Sequence, residues 1–287
     1  VNPLLALSVG LTAGGTFALF GVLLTIMSRL GKVVNFSQVA VGTFGVFLAI
    51  RLVPKDMQPW GAILVGMLVA MVLSILIGFV IAKWLGDAPV STRSAATVAI
   101  LLGLYSLANL LFGTRPQPVL APFKGPILQT DLVNISQLAV VTTVTAILVA
   151  VGAKLMLRYT LVGTRLRAVS DRQDAAELMG INVMGLQLGV WAVTGLIAGF
   201  GVGVVANIQA TDANSMITIL IPSAAAALVG AFRRLDLAIV GGLGIGALQG
   251  LLTAFPSIVL LKDWIPILVI VVFLLWTERK EVWDVAR

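Results

Sequence analysis

Residues 60–84 read WGAILVGMLVAMVLSILIGFVIAKW, and this run decides the fold class. It holds no acidic residue, and its one basic residue, Lys83, stands near the end. About 20 predominantly apolar residues carry a helix across a hydrocarbon layer of about 30 Å. Neither this run nor its neighbours alternate polar and apolar positions at strand length, so helices rather than a closed barrel would satisfy the backbone in lipid. Outward from it lie eight more apolar segments, at about 4–28, 34–52, 94–112, 133–157, 186–208, 215–232, 236–255 and 262–277. The second, fourth, seventh and ninth in chain order are short, so one or two are candidates for broken or re-entrant segments. The expected fold is all-α: a polytopic transmembrane helical bundle of about 8–9 membrane segments forming one domain over 1–287.

Composition agrees. Of 287 residues, 59% are hydrophobic, and only 11% are charged against about 25% in soluble domains. Mean hydropathy is +1.08. A soluble fold of this make-up would expose large apolar areas. Histidine and cysteine are absent, which removes disulfides, Ser-His-Asp and Cys-His nucleophiles and the usual zinc ligand sets, and no metal site is expected. The formal charge of +7 fits cytoplasmic loops beside anionic headgroups and does not imply nucleic acid, since no basic run is interleaved with aromatics. The opening Val1-Asn2-Pro3 has no basic region before its apolar stretch and does not read as a cleaved signal peptide.

If all nine segments cross and the C-terminus is inside, the N-terminus is outside. Arg29, Lys32, Lys83, Arg93, Lys154, Arg158, Arg165, Arg167, Arg172, Arg233, Arg234, Arg279, Lys280 and Arg287 then face inward. Arg51, Lys55, Arg115, Lys124 and Lys262 face outward. Fourteen against five is the bias that sets orientation in membranes. The outer loop 113–132 carries Pro116, Pro118, Pro122 and Pro126 and should be extended or turned. The inner loop 158–185 reads as helix, with Val162, Leu166, Val169, Gln173, Ala176 and Gly180 at spacings of three and four. The halves of the chain show only weak internal similarity.

No Asp, Glu, Lys or Arg lies in the middle of a segment. A charge there would be costly and functional, so its absence argues against proton coupling and against an acidic selectivity ring. What the segments hold is neutral polarity: Asn35, Ser37, Gln38 and Thr43; Tyr105, Ser106 and Asn109; Asn207 and Gln209; Ser223; Gln249 and Thr253. These either hydrogen-bond between helices or line a path. Asn35, Ser37, Gln38 and Asn109 are the candidates for the path, with Asn207 and Gln209 at its outer mouth. Gly195, Gly199 and Gly203, and again Gly242, Gly246 and Gly250, recur every four residues. That spacing brings helix backbones close, either to pack or to slide.

Within the inner loop stands Asp174-Ala175-Ala176-Glu177-Leu178-Met179-Gly180. It resembles the Glu-Ala-Ala-x-x-x-Gly core of ABC importer permeases, with Asp174 for Glu and without the Ile-x-Leu-Pro continuation. Three further stretches carry a closer resemblance: Gly14-Gly15-Thr16-Phe17-Ala18-Leu19 leading to Val34-Asn35-Phe36-Ser37-Gln38 and Gly42-Thr43-Phe44; Gly163-Thr164-Arg165-Leu166-Arg167-Ala168 through Gly180-Ile181-Asn182; and Ala224 to Gly230 followed by Gly241-Gly242. Together they resemble the permeases of branched-chain amino acid ABC importers, the LIV type, most like its H-type subunit. Ser37, Gln38 and Val39 stand where that family has Ala, His and Gly.

The resemblance implies a multi-pass protein of the bacterial inner membrane, itself no enzyme and without a cofactor. Its partners would be a second permease of the M type, two ATP-binding subunits that hold ATP and Mg²⁺, an extracytoplasmic substrate-binding protein and the lipid bilayer. Arg165, Arg167, Asp174, Ala175, Ala176, Glu177 and Gly180 would couple this chain to the ATPase. No Gly-x-x-x-x-Gly-Lys-Ser/Thr occurs in the chain, so ATP would be bound by another subunit. Relatives in that family also handle urea, short amides and other carboxylic acids. The residues alone leave a second reading open, a stand-alone secondary carrier or channel for a small neutral or zwitterionic solute. A membrane-embedded enzyme is a third, with few reaction types left to it.

Overall fold

The computed structural model describes residues 2–52, 58–113, 123, 125–205 and 213–285. The helices are α1 (Pro3–Leu30), α2 (Gln38–Leu52), α3 (Pro59–Trp84), α4 (Val90–Phe112), α5 (Gln137–Tyr159), α6 (Leu161–Asp171), α7 (Gln173–Leu178), α8 (Val183–Val205), α9 (Ala213–Val229), α10 (Leu235–Leu252) and α11 (Ile265–Val285). A 3-10 segment, Pro256–Trp264, leads into α11. Among the described residues seven helical segments are long and apolar enough to cross a membrane. The chain is a polytopic helical bundle.

The short segments are the second and seventh. At about 1.5 Å per residue, the 15 residues of α2 span about 22 Å and the 17 of α9 about 25 Å, less than the hydrocarbon layer. The fourth and ninth segments lengthen into full-span helices, because α4 begins at Val90 and the last span begins at Pro256. The fifth starts later than expected. Asn134–Ser136 pairs antiparallel with Pro126–Gln129 as a small β-hairpin, and Ser136 then caps α5 through Ala139 N at 3.1 Å. Pro116, Pro118, Pro122, Lys55, Arg115, Lys124 and Arg287 lie outside the described residues.

The packing is reciprocal between two parts of the chain. Helices α9 and α10 pack on α1, while α2 and α3 pack on α8. The residues in contact are small. A Cβ on Gly246 would lie 2.3 Å from Gly14 Cα, and one on Gly195 would lie 2.3 Å from Ser74 Cβ. Both glycine stripes therefore face partner helices at backbone distance. Helix α1 runs toward the α6–α7 end of the bundle and α8 runs away from it, so α1–α3 and α8–α10 form two triplets of opposite direction, each lending two helices to the other's first. Ala18-Leu19-Phe20-Gly21-Val22 and Ala198-Gly199-Phe200-Gly201-Val202 occupy like positions in the two lead helices. Folds of this kind set their binding sites where helices are interrupted, at the junction of the repeats.

The inner loop is two helices rather than one. Arg172 adopts an extended conformation (φ −144°) between α6 and α7. Leu166 and Val169 of α6 and Ala176 of α7 are buried, whereas Val162 and Gly180 are exposed. Ala176 packs with Val169, Ile181 and Val183.

Candidate functional site: an interrupted helix with unpartnered amides

Between α1 and α2 the chain is not helical from Gly31 to Ser37, yet Gly31, Val33, Asn35 and Ser37 are buried. Lys32 opens the break with φ +51°, a left-handed conformation. Backbone polar groups at this depth need partners from the protein, and α4 supplies them. Val34 N donates to Ser94 Oγ at 3.0 Å, and Phe36 N donates to Thr97 Oγ1 at 3.1 Å. The Thr97 hydroxyl in turn has Val34 O at 3.0 Å and Ser94 O at 2.7 Å as acceptors.

Two close contacts fix the level at which α2 starts. A Cβ on Gly42 would meet Ala198 O at 2.6 Å, and one on Gly45 would meet Gly66 O at 2.6 Å. One turn before Gly42, Gln38 therefore stands near the level of Thr194 and Ser74, close to the middle of α8 and of α3. The interruption lies deep in the bundle.

Asn35, Ser37 and Gln38 come together there. Asn35 Oδ1 accepts from Ser37 N at 3.1 Å and from Ser37 Oγ at 2.7 Å. Ser37 O accepts the first helical bond of α2, from Val41 N at 2.9 Å. Asn35 and Gln38 are each 1% exposed, yet among the described residues Asn35 Nδ2, Gln38 Nε2 and Gln38 Oε1 have no hydrogen-bond partner. Buried polar atoms are nearly always paired, so unpaired ones at an interrupted helix mark a place built for something other than packing. The remaining neutral polar residues differ. Thr43 bonds Val39 O at 2.9 Å, Ser223 bonds Ile219 O at 2.7 Å, and Gln249 bonds Lys262 O at 3.1 Å. Asn109 bonds Tyr105 O at 3.1 Å and lies twelve residues along α4 from Thr97, about 18 Å away. Asn207 and Gln209 lie outside the described residues.

A second polar feature was not singled out from the sequence. A cavity of about 350 Å³ toward the other end of the bundle is lined by Thr12, Thr16, Asn134, Ser136 and Val205. Thr12 and Ser136 share a hydrogen bond of 2.8 Å, and Asn134 N donates to Ser8 Oγ at 2.9 Å. Thr12 and Thr16 stand one turn apart on α1, a spacing that could have drawn attention to that face.

At the α6–α7 end, Arg165, Arg167, Asp174, Ala175, Glu177 and Gly180 are exposed, and Ala176 is buried. Gly180 closes α7 with φ +77°. Gly180 N bonds Glu177 O at 2.9 Å and Ile181 N bonds Ala176 O at 3.1 Å, the paired bonds of a Schellman turn. The turn lifts Leu178, 90% exposed, and Met179, 68% exposed, off the bundle. Ser170 Oγ fastens α6 to Arg29 O of α1 at 2.7 Å.

A helical bundle with two interlocked triplets of opposite direction and a polar break deep inside one of them has the architecture of a membrane transport component. The comparison with known families agrees: residues 6–274 match the branched-chain amino acid transport system / permease component family, and the chain belongs to it. Members of that family are transport components. A probable branched-chain amino acid transport permease protein LivH from Methanocaldococcus jannaschii is 30% identical over 177 residues. That match covers 59% of this chain and 55% of the relative's length. No solved structure matches.

Proposed function

We propose that the chain is the membrane-spanning permease subunit of an ATP-binding-cassette importer for branched-chain amino acids or a related small polar or carboxylic solute. It works in the bacterial inner membrane beside a second, M-type permease. Two ATP-binding subunits hold ATP and Mg²⁺, and an extracytoplasmic binding protein delivers the solute. The solute passes the interrupted start of α2, where Asn35, Ser37 and Gln38 supply neutral hydrogen-bonding groups. That site is closed to solvent in this structure, and alternate rearrangement of the two triplets would open it to either side.

The observation that carries this reading is the α7 knob. Leu178 and Met179 stand exposed at a turn held rigid by two backbone bonds, with the carboxylates of Asp174 and Glu177 beside them. Apolar side chains displayed in this way suit a partner's groove. Arg165 and Arg167 on α6 add cations to the same cytoplasmic end. The test is purification of the complex through a tag on this chain. An ATP-binding subunit should accompany the wild type and be lost from Leu178→Asp, with the chain still folded. Retention of the ATPase by a chain carrying Glu177, Leu178 and Met179 all changed to Ser would refute the docking assignment.

A further inference from the structure

The start of α2 has a chemistry more specific than neutral polarity. The N–H groups of Gln38, Val39 and Ala40 form its first turn, and all three residues are buried. Among the described residues these N–H groups have no partner. They carry the positive end of the helix dipole. A serine in front of a helix ordinarily turns its hydroxyl oxygen to such groups. Ser37 instead donates its hydroxyl to Asn35 Oδ1 at 2.7 Å and leaves the turn uncapped.

Asn35 Oδ1 is committed twice, to Ser37 N and to Ser37 Oγ. The amide nitrogen of Asn35 shares a carbon with that oxygen, so Nδ2 stands at the same end of the helix, buried and unpartnered. Gln38 brings a second unpartnered amide from the first turn itself. The free groups are thus three backbone N–H donors, two amide NH₂ donors and one acceptor, Gln38 Oε1. Each Asp and Glu from Asp87 to Asp263 whose side chain is described is exposed, and no described Lys or Arg is buried with these groups.

This inference rests on the permease reading and names the ligand chemistry of its site: the geometry points to a carboxylate-binding subsite at the start of α2. The first-turn N–H groups, Asn35 Nδ2 and Gln38 Nε2 hold the carboxylate of the solute. Among the described residues the subsite has no carboxylate of its own for an ammonium group. A branched aliphatic carboxylate without an ammonium therefore binds, and the matching amine does not.

The experiment uses the purified permease complex without its binding protein. Two radiolabelled probes share one carbon tail: isocaproate, which ends in a carboxylate, and isoamylamine, which ends in an ammonium. Isocaproate should bind, and isoamylamine should bind at least about 10-fold more weakly, the scale of one hydrogen bond to a charged group. Asn35→Asp keeps the acceptor for both Ser37 bonds while adding a competing negative charge, and should weaken isocaproate by about 10-fold or more. Gln38→Met removes one donor without adding charge and should weaken it by several-fold, which covers the case in which the Asp variant does not assemble. Equal binding of the two probes, no binding of isocaproate, or unchanged affinity in both variants would overturn the subsite. Co-purification of the ATPase reads the permease assignment separately. An assembled, ATP-hydrolysing complex that ignores isocaproate sinks the subsite alone, whereas a chain that binds isocaproate but has no ATPase partner sinks the importer assignment and leaves the subsite standing.

Discussion

Replacing Gln38 by Leu separates a binding role from a packing role, because the two readings give opposite signs. The side chain is 1% exposed, and both of its polar atoms lack partners among the described residues. An unsatisfied buried polar group costs about 1–3 kcal/mol. Leu has a similar volume and removes both atoms, so the fold should gain roughly 1–3 kcal/mol after the imperfect fit of a branched side chain is set against the gain. For a chain of this size that is an upward shift of several degrees in the apparent midpoint of thermal unfolding, at about 2–4 °C per kcal/mol. ATP-driven solute uptake by the reconstituted complex should fall by several-fold, since the Nε2 donor that meets the solute is gone. The measurements are a thermal melt of the purified complex and uptake into proteoliposomes supplied with ATP. A variant that is less stable than wild type and still transports at the wild-type rate would refute the argument on both counts. A more stable variant with full uptake would show that the orphan amide is a packing defect and not a site.

Further predictions follow from the close contacts and from the loop's anchors. Gly246→Ala should destabilise the bundle by about 1–3 kcal/mol, because its Cβ would stand 2.3 Å from backbone atoms of Gly14 that cannot yield. Gly244→Ala, with nothing within 4 Å, should stay within about 0.5 kcal/mol of wild type. Equal melts for the two would contradict the α1–α10 packing. Thr97→Val keeps the shape but removes the bonds that tie Phe36 N and Val34 O to α4, leaving Phe36 N only Val34 O at 3.2 Å, and should raise amide hydrogen exchange across residues 31–37 while α10 stays protected. Unchanged exchange there would mean that α4 does not hold the loop.

The sequence carried the spans well because hydropathy over twenty residues is a local sum. Residues 60–84 became α3 almost to the residue. It carried the breaks poorly, for a physical reason. Val34 and Phe36 are as apolar as any helical residue, so hydropathy places them in a span. Their extended path depends on Ser94 and Thr97, some sixty positions away. The kink at Arg172 was hidden in the same way, since Val169 and Ala176 keep helical spacing across it and share one apolar cluster. The opposed triplets were illegible because glycine and other small residues recur at like positions while the side chains around them differ. Of the candidate site, the identities of Asn35, Ser37 and Gln38 could be read, because neutral polar residues stand out in an apolar run. That Ser37 turns its hydroxyl toward Asn35, leaving α2 uncapped, depends on side-chain geometry that no pattern encodes.

The polar break and the exposed α7 knob belong to one mechanical chain, and this leads to the last prediction. Helix α6 is tied to the end of α1 by Ser170 Oγ to Arg29 O at 2.7 Å. Leu166 of α6 shares a buried cluster with Leu30 and Val33. The next residues along the backbone are Gly31 to Ser37, whose last member begins α2 at the unpartnered amides. A displacement of α6 by an ATPase docked on α7, as proposed above, would therefore reach Asn35 and Gln38 through about one turn of α1 and seven non-helical residues, with no long side-chain relay needed. Ser170 is the polar link in that chain. Ser170→Ala removes one hydrogen bond between partly exposed groups, a loss of about 0.5–1.5 kcal/mol, too small to unfold the bundle or to release a partner seated on α7. We expect the variant complex to assemble and hydrolyse ATP, but to move less solute per ATP consumed than wild type. The quantity to measure is that ratio in proteoliposomes, with Thr164→Val as the comparison, since Thr164 Oγ1 bonds only within its own helix turn, to Thr160 O at 3.2 Å. If Ser170→Ala and Thr164→Val give the same ratio as wild type, the link between α6 and α1 transmits nothing, and motion must reach the start of α2 by way of α4 or α8 instead.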